Sequence, residues 1–267
     1  MKIKNVLFII LSIFLFQCVD AQETELWNKK NCAVVLTYDD AIDVDLDNVI
    51  PALDSLNLKG TFYLIGESPV VANRISEWRL AAEHGHELGN HSLNHPCVGS
   101  GAGRSWVTAD KDLNNYTVNR AVAEIRVTNT LLKAIDGKTE RTFAYPCGDT
   151  KIGDVDFYKD LETHFAGARG VEPGFEHINE VNLNAIKCFA INGESGDYLI
   201  DLVKQAIKSH TLLVFLFHGV GGGHDLNVSL EAHSELIHFI KKHEQEIWNA
   251  TMVDVADYIN KNQTLAK

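Results

Sequence analysis

Strand-like and helix-like segments alternate about seven times along this chain, and that alternation limits the fold before any single residue is considered. Each strand that is followed by a helix can return parallel to its predecessor, and repeated units close or partly close into a barrel. Two runs anchor the pattern. Cys32-Ala33-Val34-Val35-Leu36 is apolar and β-branched, and Thr211 to Phe217 is apolar almost throughout, so both predict buried strands. Between and around them the spacing predicts strands at 60–65, 87–92, 141–146, 164–168, 185–191 and 247–252. Helices are predicted at 45–56, 70–83, 116–135, 155–162, 198–208, 230–243 and 253–260. Residues 97–114 read as a polar, glycine-rich loop and 219–223 as a mobile one. The expected fold class from this pattern is α/β, a parallel barrel, closed or partly open, in a single domain.

A chain of 267 residues suits one such domain. Lys2 and Lys4, the apolar stretch Val6 to Phe16 and the small residues Val19 and Ala21 read as a signal peptide over residues 1–21, leaving 22–267 as the folded domain. The apolar core of that leader is shorter than the ~18 to 20 residues that span a bilayer, and no later stretch is longer, so no membrane span is expected. The expected location is periplasmic or secreted. Cys18 also allows a lipoprotein anchor, although Phe16-Gln17 before it is a poor match for lipidation. The net charge of −12 argues against nucleic acid and polyanionic polymers, and favours neutral or cationic glycans. Cys32, Cys97, Cys147 and Cys188 form no C-x-x-C pair, and export permits disulfides without naming one.

Chemistry concentrates at predicted strand ends. The first strand stops at Thr37-Tyr38-Asp39-Asp40, and the third delivers His91-Ser92-Leu93-Asn94-His95. One carboxylate and two imidazoles make the mixed shell of zinc or another divalent transition ion such as cobalt, and leave the second carboxylate free as a base. Taken singly, an Asp-Asp after a strand also fits a turn or helix N-cap, and a histidine pair also fits a solvated surface.

Three motifs in order make this chain resemble the polysaccharide deacetylases, carbohydrate esterase family four. They are Thr37-Tyr38-Asp39-Asp40, His91 through His95, and Leu216-Phe217-His218. The resemblance covers most of the chain after the leader and implies a distorted (β/α)7 barrel acting on an acetylated glycan. It implies metal ligation by Asp40, His91 and His95, with Asp39 as catalytic base and His218 as acid. Leu216 would line the acetyl pocket, and the N–H of Cys147 would stabilise the oxyanion. Two family blocks depart from the pattern. Ala144-Tyr145-Pro146-Cys147-Gly148 lacks the arginine that orients the base; Arg169 is the candidate substitute, with Arg141 at the wrong end of its strand. The block that tunes the acid histidine is not legible at 191–195, where Glu194 or Asp197 could replace it.

Trp106 and Tyr116 could stack on a sugar ring or plug the loop. His84, His86, His164, His177 and His224 read as surface residues, with His224 singled out by the glycines before it. His233, His238 and His243 read as solvated on one helix. The expected activity is removal of N-acetyl or O-acetyl groups from a carbohydrate by a metal-dependent hydrolase. An inactive glycan-binding protein of the same fold would release no acetate with added zinc or cobalt. An iron oxygenase with the same ligands would need oxygen and would have no use for Asp39.

Overall fold

Residues 27–265 are described by a computed structural model of the protein. The leader expected at 1–21, with Cys18, lies outside them. Eight strands form one parallel sheet: β1 (Cys32–Asp39), β2 (Thr61–Leu64), β3 (Glu87–Asn90), β4 (Phe143–Ala144), β5 (Ala168–Arg169), β6 (Phe189–Ala190), β7 (Leu212–Phe217) and β8 (Ile247–Asn249). Seven follow the order β5-β4-β3-β2-β1-β7-β6, and β8 pairs with the first half of β1. A parallel bridge between Arg169 and Ile186, three residues before β6, joins the two ends and curls the sheet into a seven-stranded barrel. The two longest strands, β1 and β7, lie side by side in this order, and β2 stands opposite the seam.

The two faces of β1 explain why its sequence is apolar throughout. Val34, Leu36 and Tyr38 pack against the helices α1 (Ile50–Ser55), α3 (Ile75–Glu83), α5 (Gly196–Ser209) and α6 (Leu230–Lys242). Ala33 and Val35 point the other way, with Leu212, Val214 and Leu216 of β7 and with Met252, Val255 and Ile259 of α7 (Met252–Leu265). Each such leucine, valine or phenylalanine contributes roughly 1.5–3 kcal/mol on burial. The period of two carries Thr37 and Asp39 onto the second face, at the C-terminal rim. Among the described residues no helix is long and apolar enough to cross a membrane.

Several expected elements differ. The helix expected over 70–83 is two, α2 (Pro69–Asn73) and α3, because Arg74 leaves the helical region (φ −123°, ψ 29°). Its guanidinium is held there by Asp43, Asp47 and Glu77. The helix expected at 155–162 is a short hairpin, Lys151–Ile152 with Val155–Asp156, followed by 3-10 turns. Asp156 accepts from the Tyr158 N–H there, a local bond that competes with helical continuation. The glycine loop at 219–223 is not free: Gly219–Val220 pairs with Asn227–Val228, and the Gly222 N–H donates to Asn227 Oδ1 at 2.7 Å. The expected long helix is present as α4 (Val118–Asp136).

Two histidines expected at the surface are buried instead. His233 shares the inward stripe of α6 with Leu236, Ile237 and Ile240, and its Nε2 lies 2.8 Å from the Tyr38 hydroxyl. His86 accepts from the Gly60 N–H at 3.1 Å through Nδ1, with Asp54 3.2 Å from its Nε2. Their partners replace the water each would lose. His84, His164, His177, His238 and His243 keep exposed or half-buried positions.

Candidate active site and metal centre

Asp39 ends β1, and the backbone then turns through two left-handed residues, Asp40 (φ 81°) and Ala41 (φ 55°). Side chains one apart on a strand normally point to opposite faces, so this turn is what brings both carboxylates to one rim. The histidine motif turns the same way after β3. Ser92 (φ 63°) and His95 (φ 51°) are left-handed, the Ser92 N–H donates to Asn90 Oδ1 at 2.7 Å, and the His95 N–H donates to Ser92 Oγ at 3.0 Å. Such backbone is uncommon outside glycine, and its clustering here marks a site whose geometry overrides local preference.

Nε2 of His91 and Nε2 of His95 lie 3.5 Å and 3.6 Å from Asp40 Oδ1. The three donor atoms sit within 4.8 Å of one another. Asp40 Oδ1 is buried and has no hydrogen-bond partner among the described residues. A buried, unpaired carboxylate oxygen facing two imidazole nitrogens is a donor set that suits a divalent transition ion. His91 is fixed in the tautomer this needs, because its Nδ1–H donates to the Ala144 carbonyl at 2.9 Å and leaves Nε2 as the free donor. Burial, with His91 beside it, pushes His95 down to about 4, so its ring stays neutral.

Arg169 stands against Asp39. Its Nη2 donates to both carboxylate oxygens, at 2.7 Å and 2.5 Å, and its side chain is fully buried. Ala144 and Arg169 are register partners on adjacent strands, so this guanidinium enters the rim one strand over from the alanine. The Gly170 carbonyl accepts from Nη1 at 2.9 Å, and the Tyr63 ring lies 5.1 Å from the guanidinium carbon. Tyr63 can lie there because β3 carries Gly89 beside it; a Cβ at Gly89 would fall 2.5 Å from the ring. Burial by itself would raise the Asp39 carboxyl, but Arg169, helped by His91 and His218, outweighs it and holds the group below the usual carboxylate range. Arg141, the alternative cation, sits at the other end, pairing with Asp136 and the Leu88 carbonyl.

His218 follows β7 with Nε2 3.9 Å from Asp40 Oδ2. Burial lowers its pKa, opposed by Asp39 and Asp40. Its Nδ1 is buried without a hydrogen-bond partner among the described residues, so neither Glu194 nor Asp197 replaces the family's tuning carboxylate. Glu194 accepts from the Asn192 N–H, and Asp197 lies in the first turn of α5. The neighbour His218 does have is His224, stacked on it at 4.7 Å between ring centroids, with Nε2 3.7 Å from Asp40 Oδ2. Leu216 is buried one turn of the pleat below.

Trp106 is exposed, its ring 6.2 Å from that of His95. Tyr116 is a plug and not a platform: it is buried under the Arg120 guanidinium and bonded to Glu124. Cys147 is left-handed (φ 55°) and is joined to Cys97 in a disulfide. Arg104 reinforces that link, donating to the Cys147 carbonyl at 2.9 Å and to Asp149 at 2.5 Å. The pairing had a signal in the sequence, since Cys97 lies two residues after the second histidine and Cys147 inside the oxyanion block, and both motifs must converge.

A family model described as polysaccharide deacetylase matches residues 28–164, slightly more than half of the chain. The chain belongs to the polysaccharide deacetylase family. Its fold is that of the family in solved structures. One is Bacillus subtilis PdaA, a family 4 carbohydrate esterase: 20% identity, 85% of this chain and 81% of that one covered, TM-score 0.54. Another is a family 4 acetyl xylan esterase from Clostridium thermocellum in complex with a cobalt ion: 19% identity, 85% and 91% covered, TM-score 0.53. Among curated proteins, YlxY of Bacillus subtilis (strain 168) is 29% identical over 111 residues. That match takes in 42% of this chain, and the chain spans 30% of YlxY.

Proposed function

We propose that this deacetylase-family protein is an exported, metal-dependent hydrolase that removes acetyl groups from a carbohydrate. The observation that carries the reading is the pairing of a three-donor cluster, Asp40, His91 and His95, with a separate carboxylate, Asp39, kept ionised by Arg169. A divalent ion held by that cluster, zinc first among the candidates, supplies Lewis acidity toward an acetyl carbonyl and toward water.

The protein's own groups do the rest. Asp39 accepts a proton from the attacking water, and Arg169 keeps it in the anionic form that can do so. The N–H of Cys147 faces the developing oxyanion, and Leu216 meets the acetyl methyl. His218, neutral at rest because it is buried, donates through Nε2 to the leaving nitrogen or oxygen once it has taken up a proton. Trp106, exposed beside His95, offers a face to the sugar ring. Amide and ester substrates use the same groups, so chitin-like, peptidoglycan-like and acetyl-xylan-like polymers all fit. The retained ion pair of Asp39 and Arg169 argues against an inactive glycan-binding descendant, since binding alone gives no reason to keep a buried, charged base.

The test separates base from ligand. Asp39→Asn should bind zinc or cobalt as the parent does and release no acetate from acetylated chitooligosaccharides, peptidoglycan fragments or xylan. His91→Ala should lose both metal and activity. Acetate release by Asp39→Asn at the parent's rate would remove the base assignment.

A further inference from the structure

His95 differs from its partner ligand in one respect. His91 donates its second ring N–H to a backbone oxygen, the arrangement nearly all metal-bound histidines adopt. Among the described residues the Nδ1 of His95 has no such oxygen; its neighbour is the Cys97 sulfur, at 3.7 Å. Cys147, bonded to Cys97, brings a second sulfur into the same space, and the three atoms fall within 4.8 Å of one another.

We propose that His95, Cys97 and Cys147 form a second, soft-metal site that becomes available when the disulfide between the two cysteines is reduced. A tetrahedral zinc with Zn–S near 2.3 Å and Zn–N near 2.0–2.1 Å sets sulfur and nitrogen about 3.6 Å apart and the two sulfurs about 3.8 Å apart. The first spacing is present at 3.7 Å. The second needs only side-chain rotation, since the Cα atoms stand 5.8 Å apart. Two thiolates and an imidazole, with water in the fourth position, are a soft donor set suited to zinc or cobalt. The backbone that carries them is braced independently of the disulfide: Arg104 holds the Cys147 carbonyl and Asp149, and Asp149 accepts from the Val98 N–H at 2.8 Å.

The redox step balances with an external dithiol. Two electrons and two protons pass from it to the disulfide, the Sγ–Sγ bond breaks, two thiols form, and the dithiol leaves as its own disulfide. A divalent ion then displaces both thiol protons. Because His95 also belongs to the Asp40 and His91 cluster, the site rests on the proposed metal reading to the extent that one ring serves both. Reduction would therefore draw His95 away from that cluster.

Cobalt(II) titration tests this. The protein is reduced with dithiothreitol, desalted without oxygen, and compared with its oxidised form by counting bound cobalt and recording thiolate-to-cobalt charge-transfer absorption. In an Asp40→Ala/His91→Ala background the oxidised protein should bind no cobalt, and the reduced protein should bind one ion with the charge-transfer band. Adding Cys97→Ser should remove the band. Adding His95→Ala should weaken binding on the order of 10–100-fold, an effect that loose capture by unfolded cysteines would not show. Absence of the band in the reduced double variant, or indifference to His95→Ala, would overturn the proposal. Oxidised wild-type protein that binds no cobalt would instead count against the first metal centre and leave the band as an independent readout.

Discussion

Removing the Arg169 guanidinium should expose how much of the site's stability rests on one ion pair. In Arg169→Met a methionine of similar reach fills the space but leaves Asp39, 3% exposed, as a buried carboxylate without its countercharge. Two unit charges about 4 Å apart at an effective dielectric of about 20 attract by roughly 4 kcal/mol, and breaking one partner of a buried pair typically costs about 3–5 kcal/mol. At about 2–4 °C per kcal/mol for a domain of this size, the melting temperature should fall by roughly 10 °C at pH 7.5. Asp39 should respond by taking up a proton, because burial raises its pKa once Arg169 no longer opposes it. The loss should therefore shrink as pH falls. The assay is urea denaturation of Arg169→Met, Asp39→Asn and the double variant, closed as a cycle. The double variant should lie within about 1–2 kcal/mol of Asp39→Asn, giving a coupling of about 3 kcal/mol. If Arg169→Met costs under about 1 kcal/mol, or the two single losses simply add, Arg169 is not what keeps Asp39 charged.

Two further outcomes can be checked on the same preparations. His233 is held near 4 by burial, against an ordinary value of 6.5, so the folded state binds fewer protons than the unfolded state between those values. Its contribution is complete above 6.5 and is lost as pH falls toward 4, by up to roughly 3 kcal/mol; in urea melts His233→Phe/Tyr38→Phe should lose less stability over that window than the parent, and an equal loss would refute this. Gly89→Ala should force the Tyr63 ring aside and cost about 1–3 kcal/mol, with acetate release reduced because Tyr63 lies against Arg169; unchanged stability would show that the ring moves freely.

Fold and rim are legible in the sequence where its signals are long or converge. β1 and β7 are continuous apolar runs, and the acidic pair, the histidine pair and His218 each follow a strand, so the rim could be assembled on paper. β4, β5 and β6 have two residues apiece, too few for periodicity, and their placement is set by pairing with neighbours far away in sequence. His233 reads as solvated by its polarity, although its spacing from Leu236, Ile237 and Ile240 puts it on the buried stripe. The stack of His224 on His218 depends on the glycine turn at 221–223, whose three positive φ angles no hydrophobic pattern reports.

The register between Ala144 and Arg169 has a wider consequence. Strands in a parallel sheet lie about 4.8 Å apart, and paired positions send their side chains to the same face at the same height. A long cation can thus be relocated from one strand to the next and still reach the same carboxylate, with only its final torsions changed. What such a rim requires is a charge at a point in space, and one rung of the ladder more or less in the chain address of that charge leaves the requirement met. Judging a barrel of this kind inactive from one missing motif letter would then be unsafe until the neighbouring rung has been read.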